Sequence, residues 1–303
     1  LTAIEVILLL FGGMGLFDSI CHSFATTGTG GYSTKQDSIA YYNSPYIEYV
    51  IGVFMFLSGI NFTLLLLLFT GKLKKVSQNA ELKWYVMSVI LFTAFIAAVL
   101  YRTTPMGAEE SFRKAFFQVA SLHTSTGFVT ADYMQWVPVL WGTLTVIMLI
   151  GACAGSTGGG IKVSRILILG KTLGKELKQA LHPQVVAPVR MDGKVVNHET
   201  IRATNVYVAA YIFIFAASFF LISLDGFDMV TNFTAIAATL NNIGPGLAQV
   251  GPMMNFGSYS NPAKLVMIFD MLAGRLELYP MLALFAPRLW RKRINAMHEA
   301  RAK

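Results

Sequence analysis

Charge is scarce in this sequence. Asp, Glu, Lys and Arg make up 13% of the 303 residues and hydrophobic residues 54%, against about 25% charged in an average soluble domain. A chain this poor in charge lacks the polar surface to cover large soluble cores, so its length does not signify two soluble domains. Cysteine is nearly missing. Cys21 and Cys153 are the only two, which excludes a disulfide-stapled scaffold; both lie among apolar or Gly-rich neighbours and read as buried free thiols. The apolar opening LTAIEVILLLF at 1–11 lacks the basic start and cleavage site of a signal peptide. It reads as the end of a membrane helix, and the chain is expected to be the C-terminal piece of a longer protein. The composition is that of an integral membrane protein.

Apolar runs near the spanning length of about 20 residues occur at Tyr46–Phe69, Tyr85–Leu100, Val137–Leu169 (with a Gly-rich interruption), Val206–Leu224 and Ala263–Ala286. Basic segments separate or follow them on one side: KLKK at 72–75, the stretch from Lys171 to Arg202, and RLWRKR at 288–293. The alternate connections carry Asp37, Glu109, Glu110, Asp132, Asp225 and Asp228, with few bases: Lys35, Arg102, Arg113, Lys114 and Lys264. This alternation makes the basic side cytoplasmic and places the C-terminus inside. The net charge of +8 is thus a topology signal, and no nucleic-acid partner is expected. Membrane lipid is the expected surrounding, with the tail after Pro287 near anionic headgroups.

The chain repeats itself. LFDSICHSFATTGTGGYST (16–34), SFRKAFFQVASLHTSTGFVT (111–130) and GFDMVTNFTAIAATLNNIGPG (226–246) each precede a span. Each reads as a short amphipathic helix of about 10–14 residues, too short to cross a bilayer, followed by a Gly/Thr/Asn-rich turn. Such a unit suits a re-entrant segment, tolerated at membrane depth only where protein buries it or a watery cavity adjoins it. The units divide the chain into 1–83, 84–199 and 200–303.

Overlaying the turns pairs Thr29, Gly30, Gly31, Tyr32 and Ser33 with Thr126, Gly127, Phe128, Val129 and Thr130, and places Asn242, Ile243 and Gly244 in the same position. Glycine permits positive φ, so successive carbonyls can face one way. Carbonyl oxygens around an axis replace the hydration shell of a permeating cation, and the C-terminal end of each short helix favours that cation. No carboxylate lies inside the turns, so a divalent-selective acid ring is not indicated.

ATTGTGGYST, HTSTGFVT and NNIGPG, with GACAGSTGGGIK in the second long span and AGRLELYP in the last, resemble the Trk/Ktr/HKT superfamily, and within it the bacterial Trk potassium-uptake membrane subunits. The resemblance covers essentially the whole chain. It implies an all-α membrane fold of tandem helix–pore helix–filter loop–helix units around one potassium-channel-like pore, with this chain supplying the second to fourth of four. The implied filter comprises Thr27, Gly28, Thr29 and Gly30; Thr124, Ser125, Thr126 and Gly127; and Asn241, Asn242, Ile243 and Gly244. Its glycines would be Gly30, Gly127 and Gly244, with Gly28 competing in the first turn. Potassium is then the permeant ligand, and no organic cofactor is expected on this chain. A homodimer, a cytoplasmic nucleotide-binding regulatory ring on the basic inner face, and the bacterial inner membrane are implied in the same way.

GSTGGGIK at 155–162 is similar to a phosphate loop, but Ile161 stands where that motif needs Lys, and the segment lies inside an apolar span. A kinked packing helix is the plain alternative. The resemblance favours an intramembrane gate made of Gly155, Ser156, Thr157, Gly158, Gly159 and Gly160. Arg275 lies deep in the last span near Asp270 and Glu277. An intramembrane charge is a functional hypothesis with a partner expected: either a structural pair with one of those acids, or the carbonyls of the 151–160 loop. His22 and His123 read as packed histidines, because no third metal ligand has a matching spacing. Three function classes follow: a potassium-permeable pore, a proton- or sodium-coupled potassium symporter with broken helices, and a membrane enzyme using Ser156 or His123. No paired base and nucleophile supports the last, so no enzyme is expected.

Overall fold

In the computed structural model, residues 1–185 and 187–276 are described; Glu277, the end of the last span and the tail after Pro287 lie outside the described residues. The fold is helical apart from one two-stranded hairpin. Its first helix, α1 (Thr2–Phe11), turns at Gly12–Gly15 into the short α2 (Leu16–Thr27). Next come α3 (Pro45–Ser58), α4 (Phe62–Phe69) and the single-turn α5 (Leu73–Ser77). A second helix–short helix pair follows, α6 (Ala80–Thr103) and α7 (Ala108–His123), then α8 (Pro138–Leu149) and α9 (Val163–Leu181). The last set is α10 (His198–Ile222), α11 (Met229–Leu240) and α12 (Asn261–Arg275). Among the described residues, Ala80–Thr103 and His198–Asp225 are long and apolar enough to cross a membrane, with mean hydropathies of 2.1 and 2.2.

The expected continuous span Tyr46–Phe69 is broken: α3 and α4 meet at 106°. The cause lies at Gly59–Asn61. Asn61 caps α4 by accepting from the Thr63 amide at 2.8 Å, and its own amide donates to the Ala154 carbonyl at 2.6 Å. Gly59 gives its carbonyl to the Cys153 amide at 3.1 Å. Backbone groups freed by the break therefore find partners in the Gly-rich segment 150–162, as burial demands. That segment separates α8 from α9, as its composition predicts.

The three short helices α2, α7 and α11 run 12, 16 and 12 residues, so the middle one exceeds the expected range. Small residues let α7 and α11 pack on most sides; Ala115, Val119 and Ala120 on α7 and Ala235, Ala237 and Ala238 on α11 are all fully buried. Asp228 caps α11, accepting from the Thr231 amide at 3.0 Å.

Two details depart from expectation. Cys21 is half-exposed and only Cys153 is buried. Inside the basic stretch, β1 (Arg190–Met191) and β2 (Lys194–Val195) form a hairpin over Asp192–Gly193. Both turn residues have positive φ, +51° and +78°, the geometry an Asp-Gly pair favours. The Asp192 carboxylate accepts from the Ala80 amide at 2.7 Å, tying this hairpin to the start of α6.

Candidate functional site

Each short helix ends in a turn of the same backbone form. The helices α2, α7 and α11 are followed by Gly28, Thr124 and Asn241. The next residues, Thr29, Ser125 and Asn242, are left-handed, with φ of +49°, +56° and +56°. Gly30, Thr126 and Ile243 then donate their amides to Ala25, Ser121 and Ala238 carbonyls at 2.8, 2.9 and 2.8 Å. Gly31, Gly127 and Gly244 complete the turns with φ of +64°, +84° and +105°. The first turn is therefore one residue out of the register expected from sequence: Gly31, and neither Gly30 nor Gly28, matches Gly127 and Gly244. Three glycines within 28–31 allowed the slip. The Gly–aromatic pairs Gly31–Tyr32 and Gly127–Phe128 were the signal that could have prevented it.

Neighbouring turns interlock at these glycines. A Cβ on Gly31 would stand 1.8 Å from the Thr126 carbonyl oxygen, and one on Gly127 would stand 1.7 Å from that of Ile243. Both positions combine positive φ with a backbone contact that admits no side chain. Gly30, by contrast, has nothing nearer than 3.6 Å at its Cβ position. A cavity of about 710 Å³ opens beside the turns, lined by Thr29–Tyr32, Gly127, Asn242–Pro245 and Arg275 among others.

The segment 150–162 lies under the bases of all three turns. Thr29 Oγ1 is 2.9 Å from the Thr157 carbonyl, and Thr157 Oγ1 donates to the Thr27 carbonyl at 3.1 Å. The Gly159 amide donates to Ser125 Oγ. A Cβ on Gly159 would lie 2.3 Å from the Asn241 carbonyl, and one on Gly158 2.9 Å from that of Thr124. The two ends of the segment pair at Ile150 and Ile161, where the Gly151 amide reaches the Ile161 carbonyl at 2.8 Å. Gly155, Ser156 and Gly160 belong to the same fold of chain; Ser156 Oγ donates to the Cys153 carbonyl at 2.6 Å.

Arg275 reaches this junction from α12. Nη1 donates to the Thr157 carbonyl at 2.6 Å and Nη2 to the Gly28 carbonyl at 3.1 Å. One guanidinium thus ties the segment to the base of the first turn, which suits a group with five donors and no acceptor. The alternative pairing with Asp270 is not found: Asp270 accepts from Ser218 at 2.8 Å. Glu277 lies outside the described residues. Sequence reasoning missed three holders of the segment. Glu81 Oε1 accepts from the Ala154 and Ser164 amides at 2.6 and 3.1 Å, Asn61 binds Ala154, and Lys162 Nζ donates to the Gly158 carbonyl. Glu81 sits at a span edge, where it looks like a topology marker, and Lys162 closes the Gly-rich segment itself. His22 and His123 are fully buried and bonded to Ser33 at 2.9 Å and Ser88 at 2.8 Å. Among the described residues no group of three or more His, Cys, Asp or Glu could hold a metal.

Comparison with known proteins agrees with this geometry. A family model described as TrkH, cation transport protein, matches residues 12–292. This chain belongs to the TrkH family. The Trk system potassium uptake protein TrkH of Escherichia coli (strain K12) is 38% identical over 96% of the chain and 60% of its own length. TrkG of the same organism is 35% identical over 92% and 57%. The crystal structure of the potassium transporter TrkH from Vibrio parahaemolyticus superposes with a TM-score of 0.90 at 34% identity, covering 96% of this chain and 62% of that one. The chain therefore spans about 60% of the length of the TrkH-family relatives it matches, and its helical membrane fold is theirs.

Proposed function

We propose that this chain forms three of the filter turns and the gate of a potassium-permeable pore, as part of a bacterial potassium uptake system. The observation that carries this is the congruence of the turns: three short helices deliver the same left-handed backbone to one locus, interlocked through Gly31 and Gly127. Thr27–Gly31, Thr124–Gly127 and Asn241–Gly244 supply the carbonyls that would stand in for potassium hydration, at the negative ends of α2, α7 and α11. Gly155–Gly160 close the passage beneath them, held by Arg275. The names of the relatives, potassium uptake proteins, support the choice of ion.

The steric difference between Gly30 and Gly31 supplies the test. Gly31→Ala and Gly127→Ser should each lower the potassium-to-sodium uptake ratio by about tenfold or more, about 1.4 kcal/mol in discrimination; Gly30→Ala should change it far less. Uptake ratios insensitive to Gly31 and Gly127 would remove the filter from these turns. A coupled symporter is separated from a pore by its reversal potential: a pore follows the potassium gradient alone.

We place the chain in the bacterial inner membrane with its C-terminus cytoplasmic, as a homodimer carrying a cytoplasmic nucleotide-binding regulatory ring. The basic stretch from Lys171 to Arg202 supports the docking face. Replacing Lys171, Lys175 and Lys178 together with Ala should reduce co-purification of that partner as salt rises, because such attraction acts over a screening length of about 8 Å at physiological salt. Equal retention by variant and wild type would leave these lysines a topological role only.

A further inference from the structure

We propose that Glu5 and Ser23 form an intramembrane proton-binding site behind the first turn, in which the carboxyl is held as the neutral acid and the loss of its proton slows flux through that turn. The helices α1 and α2 form an antiparallel hairpin whose far end is pinned where Thr2 Oγ1 and Thr27 Oγ1 lie 3.0 Å apart. One turn along α1 from Thr2 comes Glu5, and one turn back along α2 from Thr27 comes Ser23. Helical periodicity puts each pair on one face, so Glu5 and Ser23 lie across the hairpin from each other. Both are fully buried, at 0% exposure. Among the described residues neither carboxyl oxygen of Glu5 nor the hydroxyl of Ser23 has a hydrogen-bond partner.

The neighbouring hydroxyls are already committed. Thr26, beside the carboxyl, donates to the His22 carbonyl at 2.8 Å, and Thr27 donates to the Ser23 carbonyl at 2.8 Å. The titratable groups on the helices packed against α1 are Asp18, Cys21 and His22 on α2 and Tyr46, Glu48 and Tyr49 on α3. Asp18 is engaged by Lys35, Thr34 and Tyr42, and Glu48 by Arg113 and Lys114. Tyr46 packs at the opposite end of α1, against Gly12. The adjoining α4 carries no titratable residue. Among the described residues no cation bonds Glu5, although the Leu1 amino group acts on it through space, and an ionised carboxylate without a bonded cation is costly in such surroundings. The neutral acid has an O–H to give, and Ser23 Oγ is an acceptor with nothing else to accept. A proton on Glu5 would supply the donor that Ser23 Oγ lacks.

The site adjoins the working parts. Thr26 and Thr27 form the last turn of α2, directly before Gly28, whose carbonyl holds Arg275. A negative charge at Glu5 would add to the negative end of α2, deepen the well for a cation in the first turn and slow its exit. The flux consequence rests on the pore reading above; the occupancy of Glu5 by a proton does not.

The experiment has two arms. Dicyclohexylcarbodiimide enters apolar sites and adds the carboxylic O–H across its C=N bond, giving an acylisourea that rearranges to a stable N-acylurea. Mass spectrometry of the treated protein in vesicles should show Glu5 labelled at about pH 6 and progressively less as pH rises, because only the neutral acid reacts. In the second arm, rubidium flux per folded molecule should fall about fivefold between about pH 6 and about pH 9 in the wild type, and Glu5→Gln, uncharged throughout, should flatten that profile. No labelling at position 5, or labelling suppressed by sodium or potassium at constant pH, would overturn the proton site. Labelling as expected with identical pH profiles in wild type and Glu5→Gln would overturn its coupling to flux, whereas absence of flux in both would count against the pore reading alone.

Discussion

Arg113 is buried, at 9% exposure, and Arg275 is exposed to the cavity beside the turns; their partners differ in kind. Arg113 sits between carboxylates: Nη1 bonds Glu48, and Nε bonds Glu109 at 2.9 Å. Among the described residues Arg275 meets only carbonyl oxygens, one from the 150–162 segment and one from the base of the first turn. A charge pair buried among fixed helices holds one arrangement, because separating it strands a charge. A guanidinium on neutral carbonyls can release one and take another, or water, at the modest net cost of hydrogen bonds to a charged group, about 1.5–3 kcal/mol each. The first arrangement is a fastener and the second a latch.

Removing the fastener should have the largest effect. Arg113→Ala leaves Glu48 buried without its bonded arginine, so it should destabilise the fold by about 3–5 kcal/mol. The yield of folded protein and its thermal transition should both drop, with flux per surviving molecule unchanged. If Arg113→Ala instead alters flux per molecule and spares the fold, the contrast between the two arginines fails.

Removing the latch should act the other way. Arg275→Ala, and separately deletion of Ser156–Gly159, should each raise basal potassium flux per folded molecule about tenfold, the ratio that 1.4 kcal/mol produces. The two changes should be non-additive, since either one releases the same restraint. A pair of effects that simply multiply would mean that Arg275 and the segment act independently, and unchanged flux in both variants would remove the gate.

The smallest expected effect concerns a carboxylate outside the spans. Asp228 caps α11, and its hydrogen bonds to the Thr231 side chain and backbone hold its pKa below the usual carboxylate range. A group depressed in this way stabilises the folded state above its unfolded pKa, about 3.9. That contribution is lost as pH falls through the lower folded value. Asp228→Ala should therefore cost about 1 kcal/mol at neutral pH, and the difference from wild type should shrink in strong acid. A difference independent of pH would show that the cap does not act through its charge.

Much of this was readable before any coordinates. Low charge and long apolar runs marked the membrane, and three copies of one pattern marked the short helices and turns. The Gly-rich break at 151–160 is where the chain leaves helical form. The break at Gly59–Asn61 was not expected, because apolar runs flank Ser58–Asn61 on both sides and read as one span; the helix bends there since segment 150–162, far along the chain, takes up the freed backbone groups. Glu81 and Lys162 were hidden for a similar reason. Glu81 sits at a span edge and only packing turns it toward the segment, and Lys162 folds back onto the Gly158 carbonyl of its own segment.

The sequence by itself determined the class of molecule, the repeat and the residue types that a carbonyl-lined turn requires, because those follow from composition and local spacing. Tertiary structure settled the register of the first turn, where Gly31 must be bare because the Thr126 carbonyl occupies the space a side chain would need. It likewise decided that Arg275 meets the Thr157 and Gly28 carbonyls rather than Asp270. Both are contacts between segments roughly a hundred or more residues apart, and no local propensity carries them: what can stand at such a position depends on which backbone atom arrives opposite it.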